Sequence, residues 1–218
     1  MVDQLLTAPL SGAFDLAFAI KSFVAIFAIV DVLAVVPVFM SLLENYSEAD
    51  KRAMIRMAIR VAFIVLMVLT ITGDVIFGLL GISLYAFRIG GGIILLLIAI
   101  DMLFGRRTRG LSDQEKIDKE DIAIMPMAIP LLTGPGAITT GIILFTEAQD
   151  PINKLVLLIN ITLVFWISYE ILKRLDAVYK ALGHVGSKVV GRIMGLMLAA
   201  ISVQFIVAGI AEAIKILA

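Results

Sequence analysis

Two places in this chain combine polar or hydrogen-bonding groups with an apolar setting. Asp31 lies about half-way along the apolar residues 14–43, and the segment TGPG at 133–136 interrupts residues 122–146, which carry no charged side chain. A carboxylate inside such a stretch is costly in a membrane, so its first interpretation is functional. Proline and glycine are the strongest helix breakers, and a broken helix exposes backbone N–H groups that can bind an anion. Both places therefore indicate a binding site.

The TGPG break predicts a half-helix that starts at Pro135, because a proline at the first helical position sacrifices no hydrogen bond. The N–H groups of Gly136, Ala137 and Ile138 would then point to the middle of the membrane, at the positive end of the helix dipole. In the first span, Pro37 is expected to start a half-helix in the same way. Two positive helix ends that meet in one cavity suit a small anionic group such as an amino-acid carboxylate. The predicted substrate-binding residues are Asp31, Val36, Pro37, Thr133, Gly134, Pro135, Gly136, Ala137 and Ile138.

Other polar residues lie within apolar stretches. Asp31 is the deepest acid, and we expect it either to meet a substrate ammonium group or to accept a coupling proton. Asp74 and Asp101 lie nearer to the ends of their stretches, where an interfacial position is the plainer interpretation. Asn160 and Gln204 lie at mid-depth, where they could form hydrogen bonds between helices or line the cavity.

Six apolar stretches must position these residues. The chain is 61% hydrophobic with a mean hydropathy of +1.07, and the apolar excess comes in blocks. A helix that crosses a hydrocarbon layer of about 30 Å needs roughly 20 residues. We therefore predict an all-α polytopic membrane protein with six transmembrane helices, of which spans one and four are discontinuous. The predicted spans cover residues 14–43, 57–80, 83–104, 122–147, 154–173 and 190–212.

Several kinds of site are excluded by the sequence. The chain has no cysteine, which excludes disulfides, thiolate zinc sites and iron–sulfur clusters. Its 18 basic and 18 acidic residues cancel, so no overall field favours nucleic acid. The sequence contains no P-loop, nucleophile elbow, dinucleotide fingerprint or metal-ligand spacing. We therefore expect no enzyme activity, no cofactor and no metal, and we expect any transport to run on gradients.

The two halves of the chain resemble each other. Arg88 and Gly91 of the third span align with Arg192 and Gly195 of the sixth, and the first and fourth spans align so that Pro37 meets Pro135. Each half holds three spans, an odd number, so the second half must enter the membrane from the opposite side. This predicts an inverted repeat, which is typical of secondary transporters with a site near the midplane. The expected units are a first repeat at 1–105, a cytoplasmic loop at 106–121 and a second repeat at 122–218, within one membrane domain.

Basic residues set the expected orientation, because Lys and Arg concentrate in cytoplasmic loops. All but Lys21, Arg88, Lys154 and Lys215 of the 18 lie in or beside the 1–2, 3–4 and 5–6 connections. We therefore expect a multi-pass protein of the plasma or inner membrane, with these connections in the cytoplasm and both termini outside. Arg88, at the outer end of its span, is expected either to bind a lipid phosphate or to form a gating pair with an acid.

The sequence resembles the MarC family, also called the SnatA-type neutral amino acid transporters. The resemblance rests on the six spans and on three motifs, and it covers essentially the whole chain. The motifs are MAIPLLTGPGAITT at 127–140, VPVFMSL at 36–42 and YSEADKRAMIRMAIR at 46–60.

One proline of the family pattern is absent. Family members have a proline pair in the first span, whereas Val32 follows Asp31 here; the fourth span keeps its pair as Pro130 and Pro135. The resemblance implies transport of small neutral amino acids such as glycine or alanine, coupled to protons. The expected partners are then a small neutral amino acid, a proton and the lipid bilayer, without nucleic acid.

Other functional classes make different demands on the sequence. An efflux permease for other small metabolites belongs to the same broad class and stays open as an alternative. A channel would show a continuous polar face along several spans, whereas the polar residues here are scattered. An intramembrane enzyme would need paired carboxylates or a Ser/His constellation at depth, and Asp31 has no evident acidic partner in the sequence.

Overall fold

The described part of the chain is entirely helical in its regular structure. A computed structural model describes residues 15–44, 46–104, 119–148 and 150–217. Most of the predicted loop at 106–121 and the first 14 residues lie outside the described residues. An irregular helical segment, Ala123–Leu132, joins α5 to α6. The helices are α1 (Leu16–Val30), α2 (Val32–Leu43), α3 (Glu48–Leu80), α4 (Leu84–Phe104), α5 (Lys119–Ile122), α6 (Pro135–Glu147), α7 (Pro151–Leu172) and α8 (Leu175–Leu217).

These elements confirm the predicted membrane architecture. Five continuous or nearly continuous helices are long and apolar enough to cross a membrane, and a sixth span is formed if 119–132 and 135–147 are taken together across a 55° bend. Large apolar side chains are exposed on the outer faces of the long helices, as at Leu16, Val75 and Leu97. Exposed apolar surface of this extent suits lipid contact. Each half contains one broken span followed by two unbroken ones, and the inverted repeat stays a prediction.

The first span breaks at Asp31. This residue has a left-handed backbone (φ 42, ψ 54), which ends α1, and its carboxylate accepts the Ala34 N–H at 3.4 Å, which begins α2. Aspartate tolerates this conformation better than most side chains because it can hydrogen-bond locally. The prediction that Pro37 starts the second half-helix was wrong, because Pro37 lies inside α2. The chain therefore breaks where an acid can cap the new helix, and the proline only removes one N–H from the helix interior.

The fourth span breaks where the TGPG segment predicted. Met125 and Ile129 have extended backbones within the irregular segment, and each precedes a proline. Thr133 ends that segment, Gly134 is extended, and Pro135 is the first residue of α6. A Cβ on Gly134 would lie 2.7 Å from the Pro130 carbonyl oxygen, so only glycine fits this turn.

Two helices are longer than the sequence predicted. α3 begins at Glu48 rather than near 57, because Ser47 caps it by accepting the Asp50 N–H at 3.2 Å. α8 spans 43 residues and begins at Leu175, so the predicted 5–6 loop is largely helical. A helix satisfies its own backbone hydrogen bonds and need not end at the membrane surface, and residues 175–217 contain no proline to stop it.

Helices α4 and α8 pack as a close pair, referred to below as the α4/α8 pair. A Cβ on Gly92 would lie 3.0 Å from the Ser202 carbonyl oxygen, and one on Gly209 would lie 2.9 Å from the Tyr85 carbonyl oxygen. Glycines of this kind let membrane helices approach backbone to backbone. The other helices share a buried core that includes Phe39, Leu66, Met127, Leu132 and Ile161.

Candidate functional site

The two breaks line a single cavity of about 270 Å³ between the α4/α8 pair and the other helices. Drug-sized ligands occupy pockets of about 300–1,000 Å³, so this space suits a small molecule. Its lining residues are Ala28, Ile29, Val30, Asp31, Ala34, Val35, Val38, Leu95, Pro130, Leu131, Gly134, Gly136, Ala137, Met197, Leu198, Ile201, Gln204 and Phe205. The cavity therefore brings together five of the residues predicted for the site: Asp31, Gly134, Gly136, Ala137 and Gln204.

Among the described residues, Asp31 is the one acidic side chain on the cavity wall. One carboxylate oxygen accepts the Ala34 N–H, and no cation within the described residues pairs with the carboxylate. The last turn of α1, at Ala28, Ile29 and Val30, lines the cavity next to it. The carboxylate and the carbonyl end of α1 make this side of the cavity a place for a positive group, such as an ammonium or a proton.

The first turn of α6 forms the opposite pole. Gly136 and Ala137 line the cavity, and in the first turn of a helix their N–H groups have no intrahelical acceptor. The prediction that Ile138 also presents an unpaired N–H was wrong, because this group donates to the Gly134 carbonyl at 3.1 Å. Two free donors at the positive end of a helix remain, and these suit a carboxylate.

Six predicted residues do not line the cavity. Asn160 instead donates to Ser22 Oγ and to the Ala19 carbonyl, both at 2.9 Å, and thereby ties α7 to α1. Pro135 packs against Gly91 of α4. The residues outside the lining are Val36, Pro37, Thr133, Pro135, Ile138 and Asn160.

Thr133 ties the break in the fourth span to α3. Its side chain is fully buried, and its hydroxyl donates to the Ala62 carbonyl of α3 at 2.8 Å. This bond fixes the chain at the residue where the irregular segment ends. Thr133 therefore anchors the break to α3 from outside the cavity.

Thr133→Val is expected to destabilise the protein while leaving substrate binding intact. Valine keeps the shape but loses one hydrogen bond, which is worth about 1 kcal/mol and lowers the Tm by about 2–4 °C in a chain of this size. Thermal unfolding in detergent measures the shift. Thr72→Val is the matched control, because the exposed Thr72 hydroxyl only donates to the Val68 carbonyl of its own helix. A Thr133→Val protein with an unchanged Tm and lost binding would instead place the hydroxyl on the substrate.

Sequence reasoning missed the apolar wall of the cavity. Phe205, Ile201 and Met197 of α8 face the breaks, together with Leu95 of α4. Apolar residues in a membrane span look alike in sequence whether they face lipid or a cavity. The only local signal is Gln204, whose polarity marked this part of α8 as a candidate cavity wall.

Known proteins of one family are similar to this sequence over nearly the whole chain. The family model described as "MarC family integral membrane protein" matches residues 16–214. A UPF0056 membrane protein of Archaeoglobus fulgidus is 36% identical over 90% of this chain and 94% of its own length. One of Methanocaldococcus jannaschii is 37% identical over 92% and 99%, and one of Aquifex aeolicus is 36% identical over 90% and 94%. No solved structure matches the chain.

Proposed function

Since the chain belongs to the MarC family of integral membrane proteins, we propose that it is a secondary transporter of small neutral amino acids such as glycine and alanine. The cavity between the two breaks carries this proposal, because it presents opposite poles to a zwitterion. The N–H groups of Gly136 and Ala137 bind the substrate carboxylate, and Asp31 with the carbonyl end of α1 receives the ammonium group. Helix ends used in this way are typical of transporters with discontinuous spans.

The apolar wall favours a substrate with an uncharged side chain. Apart from Asp31 and Gln204, the side chains on the cavity surface are apolar, and Phe205 and Ile29 lie close to Gly136. An apolar surface disfavours a charged substrate side chain. The volume of about 270 Å³ accommodates a small neutral amino acid. A channel would require a continuous polar path, and the lining residues do not supply one.

We propose that Asp31 also couples transport to protons. A carboxylate that has no cationic partner among the described residues, on the wall of an otherwise largely apolar cavity, can take up a proton when the site is open to one side and release it on the other. No nucleotide-binding motif occurs in the sequence, so a gradient supplies the driving force.

The proposed orientation has the basic connections in the cytoplasm of a plasma or inner membrane. Lys119, at the end of the 3–4 connection, pairs with Asp50 near the start of α3 at 2.6 Å. Lys51 and Arg52 of α3 lie with Lys173 of the α7–α8 connection around one surface pocket. The three basic connections thus meet at one end of the molecule, which supports the cytoplasmic assignment.

Counterflow of labelled glycine in liposomes tests the proposed function. Vesicles that hold purified protein and excess unlabelled alanine should transiently accumulate external glycine, because outward alanine flux drives inward exchange. Vesicles loaded with arginine serve as the matched control and should show no accumulation. A glycine signal equal to that of protein-free vesicles, obtained with correctly folded protein, would remove the transporter assignment.

A further inference from the structure

Arg88 joins α4 to α8 and to α6, within one helical turn of the cavity-lining residue Gly136. Its guanidinium donates to Glu212 of α8 at 3.2 Å and to the Thr139 hydroxyl of α6 at 3.2 Å. The Thr139 side chain is fully buried, and its hydroxyl donates in turn to the Gly136 carbonyl at 3.1 Å. A chain of hydrogen bonds therefore runs from an ion pair to the turn of α6 that faces the cavity.

One bond of Arg88 lies within the α4/α8 pair, and the other leaves it. The bond to Glu212 lies within the α4/α8 pair, whose backbones touch at Gly92 and Gly209. The bond to Thr139 crosses from this pair to α6. The cavity lies along the same boundary, since Leu95, Ile201 and Phe205 face it from the pair and both breaks face it from the other helices.

The position of Arg88 argues against a purely structural ion pair. An arginine within an apolar span is costly, and such residues mark functional elements by default. Arg88 lies near the start of α4, where a long side chain could extend to the membrane surface, yet its side chain is only 21% exposed. Structural adhesion between α4 and α8 does not require it, because the glycine contacts already hold these helices together. What Arg88 adds is its bond to Thr139, which crosses from the α4/α8 pair to α6.

We infer that Arg88 is a positioning residue that latches the α4/α8 pair to α6 and closes the Glu212 end of the cavity. This inference rests on the proposed transport function, which requires the cavity to open to each side in turn. Glu212 orients the guanidinium of Arg88, and the Thr139 hydroxyl accepts a hydrogen bond from it. Opening at this end breaks the bond between Arg88 and Thr139. Because the Thr139 hydroxyl also donates to the Gly136 carbonyl, the change at Arg88 reaches the cavity at Gly136. A bond between a charged donor and a neutral acceptor is strong enough to bias such an equilibrium and weak enough to break in each cycle.

Accessibility of a single cysteine tests the latch without any substrate. The chain has no cysteine of its own, so Ile201→Cys places one thiol in the cavity wall. A membrane-impermeant thiol reagent is added to sealed vesicles from one side or the other. Arg88→Ala is expected to raise the labelling rate from the Glu212 side about tenfold, the population change that follows loss of one charge-assisted hydrogen bond. The rate from the opposite side should fall, because the population shifts between two openings.

Two further variants separate a latch from a structural role. Thr139→Val keeps both charges and removes the bond across the boundary, together with the bond within α6 to the Gly136 carbonyl. It should change labelling in the same direction as Arg88→Ala, and it decides the matter if the arginine variant fails to fold. Lys21→Ala is the matched control, because Lys21 pairs with Glu147 at 2.6 Å at the same end of the molecule but joins α1 to α6 and does not reach the α4/α8 pair. Its labelling rates should equal those of the parent. Unchanged labelling in Thr139→Val, or an equal rise from both sides, would overturn the inference even if the protein transports glycine.

Discussion

Gly136→Leu is expected to weaken glycine binding by about 100-fold or more while the protein still inserts and folds. A Cβ at this position would lie 2.5 Å from Phe205 Cζ and 2.9 Å from Ile29 Cδ1, both of them ends of side chains that line the cavity. The leucine would fill the space in which a carboxylate approaches the N–H groups of Gly136 and Ala137. Loss of two hydrogen bonds to a charged group, worth about 1.5–3 kcal/mol each, accounts for the size of the effect.

Folding should survive this change because the displaced side chains can move into the cavity itself. Gly90→Leu is the matched control: a Cβ there meets no atom within 4 Å, and the residue is exposed on α4. Equilibrium binding of labelled glycine is compared for the two variants after each elutes as a single peak in size-exclusion chromatography. Parental affinity in well-folded Gly136→Leu would mean that the break at 133–136 has only a structural role.

Asp31→Asn is expected to abolish proton-driven accumulation, lowering it by about tenfold or more, while exchange without a gradient persists. Asparagine keeps the size of the side chain and can still accept the Ala34 N–H, and it tolerates the left-handed backbone. The helix break should therefore remain intact. The amide oxygen can still accept a hydrogen bond from the substrate ammonium beside the carbonyl end of α1, so exchange persists with weaker binding. The amide cannot bind and release a proton, so coupling is lost without collapse of the cavity.

Two transport assays on the same vesicles separate these outcomes. Concentrative uptake of glycine under an inward proton gradient measures coupling, and glycine exchange without a gradient measures binding and movement. Asp74→Asn provides the matched control, because Asp74 lies near the end of α3 and does not line the cavity. Full concentrative uptake by Asp31→Asn would remove this carboxylate from the coupling role.

Much of the architecture could be predicted from sequence because a membrane simplifies the physics. Apolar stretches of sufficient length have few alternatives to helices, and the GPG stretch combines the residues that interrupt them. The first break was located only approximately, since two breaker signals compete there. Proline is tolerated inside α2 with the loss of one bond, whereas Asp31 can adopt the left-handed backbone and cap a helix.

The remaining features depend on tertiary contacts that have no local pattern. The length of α8 follows from the absence of a stop signal, while the sequence shows only a change in polarity near 190. The cavity wall is apolar like the lipid-facing surface, so Phe205 and Met197 were not distinguishable from residues such as Val203. The bond between Arg88 and Thr139 joins residues of two different spans, and its geometry follows only from their packing.

The most direct test asks whether the cavity itself holds the substrate. Ile201→Cys in the wall and Val203→Cys on the exposed face of α8 each give a single thiol in this cysteine-free chain, and each can be modified with a bulky reagent. Saturable binding of radiolabelled alanine to purified protein is then measured before and after modification. Binding should be lost when the thiol at 201 is modified and retained when the thiol at 203 is modified. Undiminished binding to fully modified Ile201→Cys protein would contradict the assignment of the cavity between the two breaks as the amino acid site.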